Sequence, residues 1–169
     1  AIAIAKDPKL PPLQLACVYI NKNSAQTNVI QSGECRILFG RPWIEEKILG
    51  LRYRISPLSF FQVNPRQTNK LYSVVLQLAE LQGTETVFDL YCGTGSITLQ
   101  LAQKAKTVIG IETVPEAIAD ARINAAINGI ENAEFTVGKA EVLVPKLIAE
   151  GLQADLVVLD PPRKGCDNV

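Results

Sequence analysis

The residues best suited to chemistry lie in segment 87–96, where an apolar strand runs into a glycine-rich turn that opens a helix. Gly93 and Gly95 let a ligand approach the backbone where side chains would block it. A dinucleotide fingerprint needs a third glycine, and Thr98 stands in its place. Asp89 would repel a pyrophosphate but accepts hydrogen bonds from a cation. The turn therefore favours S-adenosylmethionine as ligand, and a purely structural glycine turn is the alternative.

A second acid, Glu112, stands at the end of the next strand, directly after the strand-like segment 107–111. A carboxylate at that point can bond both hydroxyls of a ribose. Each hydrogen bond to a charged group contributes roughly 1.5–3 kcal/mol. A solvated charge at a strand end is the alternative, and the register with Gly93 and Gly95 favours the ribose contact.

The third motif is the loop from Asp160 to Gly165, with two prolines, Arg163 and Lys164 between them. It follows a fourth strand, and open α/β sheets place their sites at the carboxyl ends of strands. Asp160 is a candidate catalytic residue that orients a base or moves protons, although a rigid strand-ending turn is the alternative. Arg163 and Lys164 are candidate RNA phosphate contacts. Upstream basic residues could join them: Arg41, Lys47, Arg52 and Arg54.

The elements that must position these motifs alternate between strand-like and helix-like patterns from residue 86 onward. Such alternation predicts an α/β fold with a doubly wound parallel sheet, incomplete at the C-terminus. A helix over residues 68–81 should precede it, with Leu71, Val74, Val75 and Leu78 on one face. We divide the chain into a partial α+β segment, 1–63, and the N-terminal part of a cofactor-binding domain, 64–169.

The composition of the chain excludes several classes of protein and of binding site. The 17 basic and 17 acidic residues cancel, so any RNA contact must come from a local patch. The chain has no His, and its four Cys lack metal-site spacing, so no metal is expected. No apolar run approaches the ~20 residues that span a bilayer, and no leader pattern opens the sequence. We expect a cytoplasmic protein that contacts no membrane.

A further motif is segment 59–65, where Phe60 and the polar Gln62 stand among apolar neighbours. These motifs in this order resemble the RNA (uracil-5-)-methyltransferase family, especially its bacterial 23S ribosomal RNA branch, over about residues 50–167. The resemblance implies S-adenosylmethionine as cofactor, 23S rRNA as partner and 5-methyluridine as product. By this similarity the cofactor and active-site positions are Gln62, Tyr91, Ser96, Glu112 and Asp160. Phe60 would pack near the target base.

The same resemblance implies a mechanism in which a cysteine thiolate adds to C6 of uracil and makes C5 nucleophilic. That cysteine and the general base lie beyond the Asp160 loop in the family, so we expect this chain alone to transfer no methyl group. Neither Cys92 nor Cys166 matches the nucleophile. An iron–sulfur cluster, found in some ribosomal members, would belong to an upstream region. An N6-adenine methyltransferase and a non-catalytic RNA-binding module are the alternatives.

Overall fold

A computed structural model describes residues 17–22, 34–57, 59–161 and 165–166. Its strands and helices follow one another along the chain as β1 (Cys17–Lys22), β2 (Glu34–Gly40), β3 (Ile44–Ile48), β4 (Leu51–Ile55), α1 (Pro65–Ala79), β5 (Thr86–Leu90), α2 (Ser96–Ala102), β6 (Thr107–Glu112), α3 (Pro115–Ile127), β7 (Ala133–Val137), α4 (Ala140–Ala149) and β8 (Leu156–Leu159). None of the helices described there is long and apolar enough to cross a membrane.

The four strands from β5 onward form one parallel sheet in the order β7-β6-β5-β8, with helices between consecutive strands. This confirms the predicted α/β class. The central strand β5 is buried on both faces, as its apolar run requires, with Val87 and Phe88 almost inaccessible. The motif acids lie at the carboxyl edge of this sheet: Asp89 within β5, Glu112 at the end of β6 and Asp160 directly after β8.

Two antiparallel pairs precede the sheet, β1 with β2 and β3 with β4. The β3–β4 hairpin shares a hydrophobic core with the part of the chain that forms the parallel sheet. Ile48 and Tyr53 of the hairpin are fully buried in the same cluster as Leu99 of α2 and Ile118 of α3. The hairpin is therefore fixed against the sheet's helices, while the division at residue 63 stays a prediction.

Side chains of α3 pair with the backbone of β4 as a neighbouring strand would. Asn124 and Asn128 each bond the N–H and the C=O of one β4 residue, Arg54 and Arg52 respectively. One turn earlier, Asp120 accepts the N–H of Ser56 at 3.0 Å. Spacing of four residues puts the three side chains on one helix face. They hold the hairpin and the start of the following loop in register.

The packed face of α1 differs from the predicted one. Leu71, Val74 and Leu78 are exposed, and only Val75 of the predicted set is partly buried. Thr68 and Tyr72 are the buried residues of this helix. The prediction was wrong because it ranked residues by apolar character, whereas Tyr72 buries its ring and satisfies its hydroxyl with a partner on α2.

Candidate functional site

A small cavity of about 40 Å³ lies at the carboxyl edge of the sheet, between the segment before α1 and the glycine turn. The structure brings together most of the predicted site residues around it. Its lining includes Phe60, Gln62, Asp89, Tyr91, Gly93, Ser96 and Asp160. Such a volume holds little more than a water molecule. A nucleoside-sized ligand would therefore extend from this cavity across the open edge.

Asp89 is the most buried acid of the site, with 1% of its surface exposed. Thr98 of α2 donates its hydroxyl proton to Asp89 Oδ2 at 2.5 Å. Burial, reinforced by the charges of Asp160 and Glu112 and opposed by the Thr98 hydrogen bond, raises the pKa of Asp89 to about 7. A cation placed beside this carboxyl would therefore favour its ionised form at neutral pH.

Glu112 ties the end of β6 to the glycine turn. Its Oε2 accepts the backbone N–H of Gly93 at 3.2 Å. The other oxygen, Oε1, accepts the N–H groups of Thr113 and Val114 at the start of α3. The register predicted between Glu112 and the turn is thus a direct contact. Its carboxylate is held in place before any ligand arrives, although Glu112 itself is absent from the lining of the small cavity.

The two glycines of the turn differ in what a side chain at each position would contact. Both adopt positive φ, 54° at Gly93 and 77° at Gly95. A Cβ at Gly93 would meet nothing within 4 Å, so open space lies above it. A Cβ at Gly95 would lie 3.0 Å from the ring of Phe135 and 3.1 Å from Ala121 Cβ. Gly93 leaves room for a ligand, whereas the contacts of Gly95 are with the core.

Tyr91 opens the turn in the left-handed region, with φ of 66°. This conformation is uncommon for a residue with a Cβ, and such strain clusters at functional sites. The hydroxyl donates to Glu141 Oε1 at 2.5 Å, and that hydrogen bond raises the pKa of Tyr91. Tyr91 also lines a second, apolar cavity of about 460 Å³ beside α4. The bond to Glu141 therefore fixes the tyrosine between two cavities.

Sequence reasoning found Ser96 but missed its partner. The Ser96 hydroxyl lies 2.7 Å from the hydroxyl of Tyr72, which also lines the small cavity. Thr98 was noted only as the residue that breaks the dinucleotide pattern, yet it is the hydrogen-bond partner of Asp89. The polar residues Thr68 and Tyr72, four apart in a helix that leads to the site, were the available signal.

Cys92 lies in the turn and is 6% exposed. Burial, with the nearby charges of Asp89 and Glu112, raises the pKa of its thiol. A thiol rather than a thiolate is therefore present at neutral pH, and only the thiolate is a strong nucleophile. This agrees with the expectation that Cys92 does not serve as the nucleophile.

The charges of the site suit a cationic ligand. Among the described residues, no Lys or Arg forms an ion pair with Asp89, Glu112 or Asp160, since the only ion pair there joins Arg41 to Glu45. Unpaired carboxylates beside an open backbone turn match the ammonium and sulfonium groups of S-adenosylmethionine. The residues present fit this cofactor in charge and in the space above Gly93.

The predicted RNA contacts are placed only in part. Phe60 is 75% exposed at the mouth of the cavity, where a base could reach it. Arg163 and Lys164 lie outside the described residues. Their role, like the individual role of each cofactor-site residue, stays a prediction.

Comparison with known proteins agrees with this geometry. A family model described as a methyltransferase domain matches residues 81–165. An uncharacterized RNA methyltransferase of Clostridium tetani is 46% identical over 98% of this chain, and one of Bacillus cereus is 55% identical over 87%. The chain spans 39% and 32% of the lengths of these two relatives.

A solved structure adds a ligand to the comparison. The tRNA (uracil-54, C5)-methyltransferase of Pyrococcus abyssi, in complex with S-adenosyl-L-homocysteine, is 29% identical with a TM-score of 0.71. The similarity covers 92% of this chain and 37% of that one. A parallel sheet with three acids at its carboxyl edge, an open glycine turn and a family model that matches half of the sequence lead to one assignment. The chain belongs to the methyltransferase domain family.

Proposed function

We propose that this chain is the cofactor-binding segment of an S-adenosylmethionine-dependent RNA methyltransferase that forms 5-methyluridine. The observation that carries the proposal is the open turn at Gly93, which bonds Glu112 and lies beside the carboxylate of Asp89. Relatives named RNA methyltransferases support the RNA substrate. The neighbour that acts on C5 of uracil 54 in tRNA supports the position of methylation.

Each acid has a separate part in cofactor binding. Asp89 accepts the ammonium group of the amino acid end, because it is the buried carboxylate and its pKa lies near neutrality. Glu112 takes the ribose hydroxyls, because its carboxylate is already fixed by backbone N–H groups. Ser96 and Gln62 line the small cavity beside Asp89. When bound, the cofactor supplies an electrophilic methyl group.

The substrate base enters from the side of Phe60 and Asp160. Phe60 presents an exposed ring for stacking, and Asp160 is an exposed acid that lines the same cavity. Asp160 orients the base through its edge, and Arg163 and Lys164 contact the flanking phosphates. The target must leave its stack to reach this cavity. The 23S rRNA assignment rests on the family resemblance, whereas the solved neighbour acts on tRNA.

The nucleophile lies outside this segment. A cysteine that adds to C6 must be ionised and able to reach the base. Cys92 is buried with a raised pKa, and Cys17 and Cys35 belong to the N-terminal β1–β2 pair. Cys166 is exposed, but its place in the sequence does not match the family's nucleophile. The resemblance places the nucleophile after a strand that follows the Asp160 loop. This segment therefore supplies cofactor binding and base positioning.

A segment exchange tests the proposal. The Bacillus cereus relative is 55% identical over 147 residues, so this chain can replace the matching third of that protein. The chimera is expressed in cells that lack their own uracil-5 enzymes, and digested RNA is analysed by mass spectrometry. We expect 5-methyluridine, and its loss in an Asp160→Ala chimera. N6-methyladenosine as the product, or no RNA methylation by a folded chimera whose parent is active, contradicts the proposal.

A further inference from the structure

A groove of about 480 Å³ lies on the other side of segment 60–63 from the cofactor site, between β1 and the β3–β4 hairpin. We call it the aromatic groove. Its aromatic walls are Tyr19, Trp43 and Phe61. Its volume lies in the range of roughly 300–1,000 Å³ typical of small-molecule sites. Neither the glycine turn nor the three acids of the cofactor site line it.

Two of the three aromatic walls, Trp43 and Phe61, are held by close contacts. The guanidinium of Arg54 lies 3.7 Å from the ring centroid of Trp43, a close cation–π contact. Arg54 is fixed in turn, since its N–H and C=O both bond Asn124. Phe61 packs against the buried Tyr53, with ring centroids 5.8 Å apart. Rings fixed before binding lower the entropic cost of ordering a partner on them.

Two hydrogen-bond donors beside the groove are unused. Trp43 Nε1 and Arg54 Nε are buried and have no hydrogen-bond partner among the described residues. Buried donors without partners are rare in proteins and need an explanation. Because Trp43 lines the groove, an acceptor atom of a ligand bound there would satisfy its indole N–H after a small adjustment of the ring.

The charges of the hairpin and of the groove indicate which class of ligand the groove binds. The hairpin segment 41–55 carries four basic residues and two acidic ones, which favours an anionic polymer nearby. Within the groove, however, the carboxyl residue is Glu46, which disfavours a phosphate there. A nucleobase meets both conditions, because its faces stack on aromatic rings and its edge carries donors and acceptors. Its phosphates remain outside, near the basic residues.

The groove adjoins the reaction site directly. Phe61 and Gln62 line both the aromatic groove and the small cavity that holds Asp89 and Asp160. We propose that the aromatic groove binds an unstacked nucleobase of the substrate RNA, next in the strand to the nucleotide that enters the reaction site. This inference rests on the proposed function and adds a second base-binding subsite to it.

The chain carries its own reporter for this subsite, because Trp43 is its only tryptophan. The full chain is titrated with a single-stranded ten-nucleotide RNA of mixed sequence while tryptophan emission is recorded. Stacking on Trp43 should quench the emission saturably. An abasic ten-mer with the same phosphates should leave it nearly unchanged. Equal quenching by the abasic strand would mean that charge alone drives binding, and it overturns the proposal.

Variants test the groove independently of emission. Binding of the same RNA, labelled with fluorescein, is followed by anisotropy. Trp43→Ala should weaken binding at least fivefold, and Trp43→Phe, which keeps a ring but lacks the N–H, should weaken it less. Phe39→Ala is the matched control, since this half-exposed aromatic on β2 lies outside the groove. An equal loss in Phe39→Ala, or none in Trp43→Ala, overturns the proposal.

Calorimetry with S-adenosylhomocysteine separates this inference from the proposed function. All variants should bind it within twofold of the parent chain. If the cofactor product binds but RNA neither quenches Trp43 nor depends on it, the subsite is refuted and cofactor binding stands. If the folded chain binds RNA through Trp43 but not the cofactor product, the proposed function fails and the groove stands. Quenching by an apolar, proline-rich decapeptide but not by RNA would identify a protein-docking surface and overturn the proposal.

Discussion

Asn124 and Arg54 exchange two hydrogen bonds that attach the β3–β4 hairpin to the methyltransferase domain. The N–H of Arg54 donates to Asn124 Oδ1 at 2.7 Å, and Asn124 Nδ2 donates to the C=O of Arg54 at 3.1 Å. The same amide group also donates to the C=O of Thr94 in the glycine turn, at 3.2 Å. One fully buried side chain therefore links the hairpin to the glycine turn of the candidate cofactor site.

Replacing Asn124 with alanine should strongly destabilise the chain. The change leaves the part-buried N–H and C=O of Arg54 without these partners, and each lost partner costs roughly 1–3 kcal/mol. We expect the free energy of unfolding to fall by about 2–4 kcal/mol in urea titrations. Asn128→Ala is the control, because its pairing with Arg52 is exposed and water can replace it. Equal effects of the two changes would refute the role given to Asn124.

The two glycines of the turn should respond differently to alanine. Gly93→Ala introduces a methyl group into open space, so it should cost only about 1–2 kcal/mol of left-handed strain. It should nevertheless weaken S-adenosylhomocysteine binding at least tenfold, because the methyl group occupies the ligand's path.

Gly95→Ala should mainly reduce stability, since its Cβ would press against the ring of Phe135 at 3.0 Å. Thermal melts and calorimetry on both variants distinguish the two effects. A Gly93→Ala chain that binds the ligand as tightly as the parent would show that the space above Gly93 is not used.

The pKa of Asp89 should make ligand binding depend on pH. The ligand's ammonium group favours the ionised carboxylate, so binding lowers the pKa from about 7 and releases a proton. Affinity for S-adenosylhomocysteine should rise up to about tenfold from about pH 6 to about pH 8. Calorimetry in two buffers of different ionisation enthalpy measures the released proton directly. In Asp89→Asn, which keeps an acceptor for Thr98, both the rise and the proton release should disappear.

The same pKa shift has a consequence for the ligand-free chain. The folded form holds a proton on Asp89 that the unfolded form releases above its ordinary value of 3.8. The protonated form of Asp89 therefore stabilises the folded chain at low pH. This contribution to the free energy of unfolding falls as the pH rises from 3.8 to about 7. Asp89→Asn should flatten this decline in urea titrations between about pH 4 and about pH 7. An unchanged decline would locate the titrating group elsewhere.

Sequence patterns predicted the elements of the parallel sheet well, because each is marked locally. Strand β5 begins at residue 86, where the alternation was predicted to begin, and β6 covers the predicted strand-like segment before Glu112, because both strands are mainly apolar. The acids at the strand ends follow from topology, because parallel strands bring their carboxyl ends to one edge. Both the fold class and the grouping of the motif residues could therefore be predicted without coordinates.

Features that depend on distant partners could not be predicted. The β3–β4 hairpin turns at Leu49-Gly50, which lacks the usual Asn-Gly signal. Leu49 takes a positive φ of 44° there, and its N–H donates a hydrogen bond to Asn69 Oδ1 of α1 at 3.1 Å. Tertiary contacts of this kind also select Tyr72 over Leu71 as the buried residue of α1. Such contacts cannot be predicted from the spacing of apolar residues along the chain.

The central claim, that the edge formed by Gly93, Asp89 and Glu112 binds the methyl donor, is tested most directly by calorimetry of the full chain with S-adenosylhomocysteine. We expect one site per chain, and at least tenfold weaker binding in Glu112→Ala, since hydrogen bonds to charged groups are worth roughly 1.5–3 kcal/mol. Glu116→Ala removes an exposed acid in the first turn of α3, and this variant should bind within twofold of the parent. A folded chain that shows no binding at millimolar ligand, or an unchanged dissociation constant in Glu112→Ala, would contradict the account.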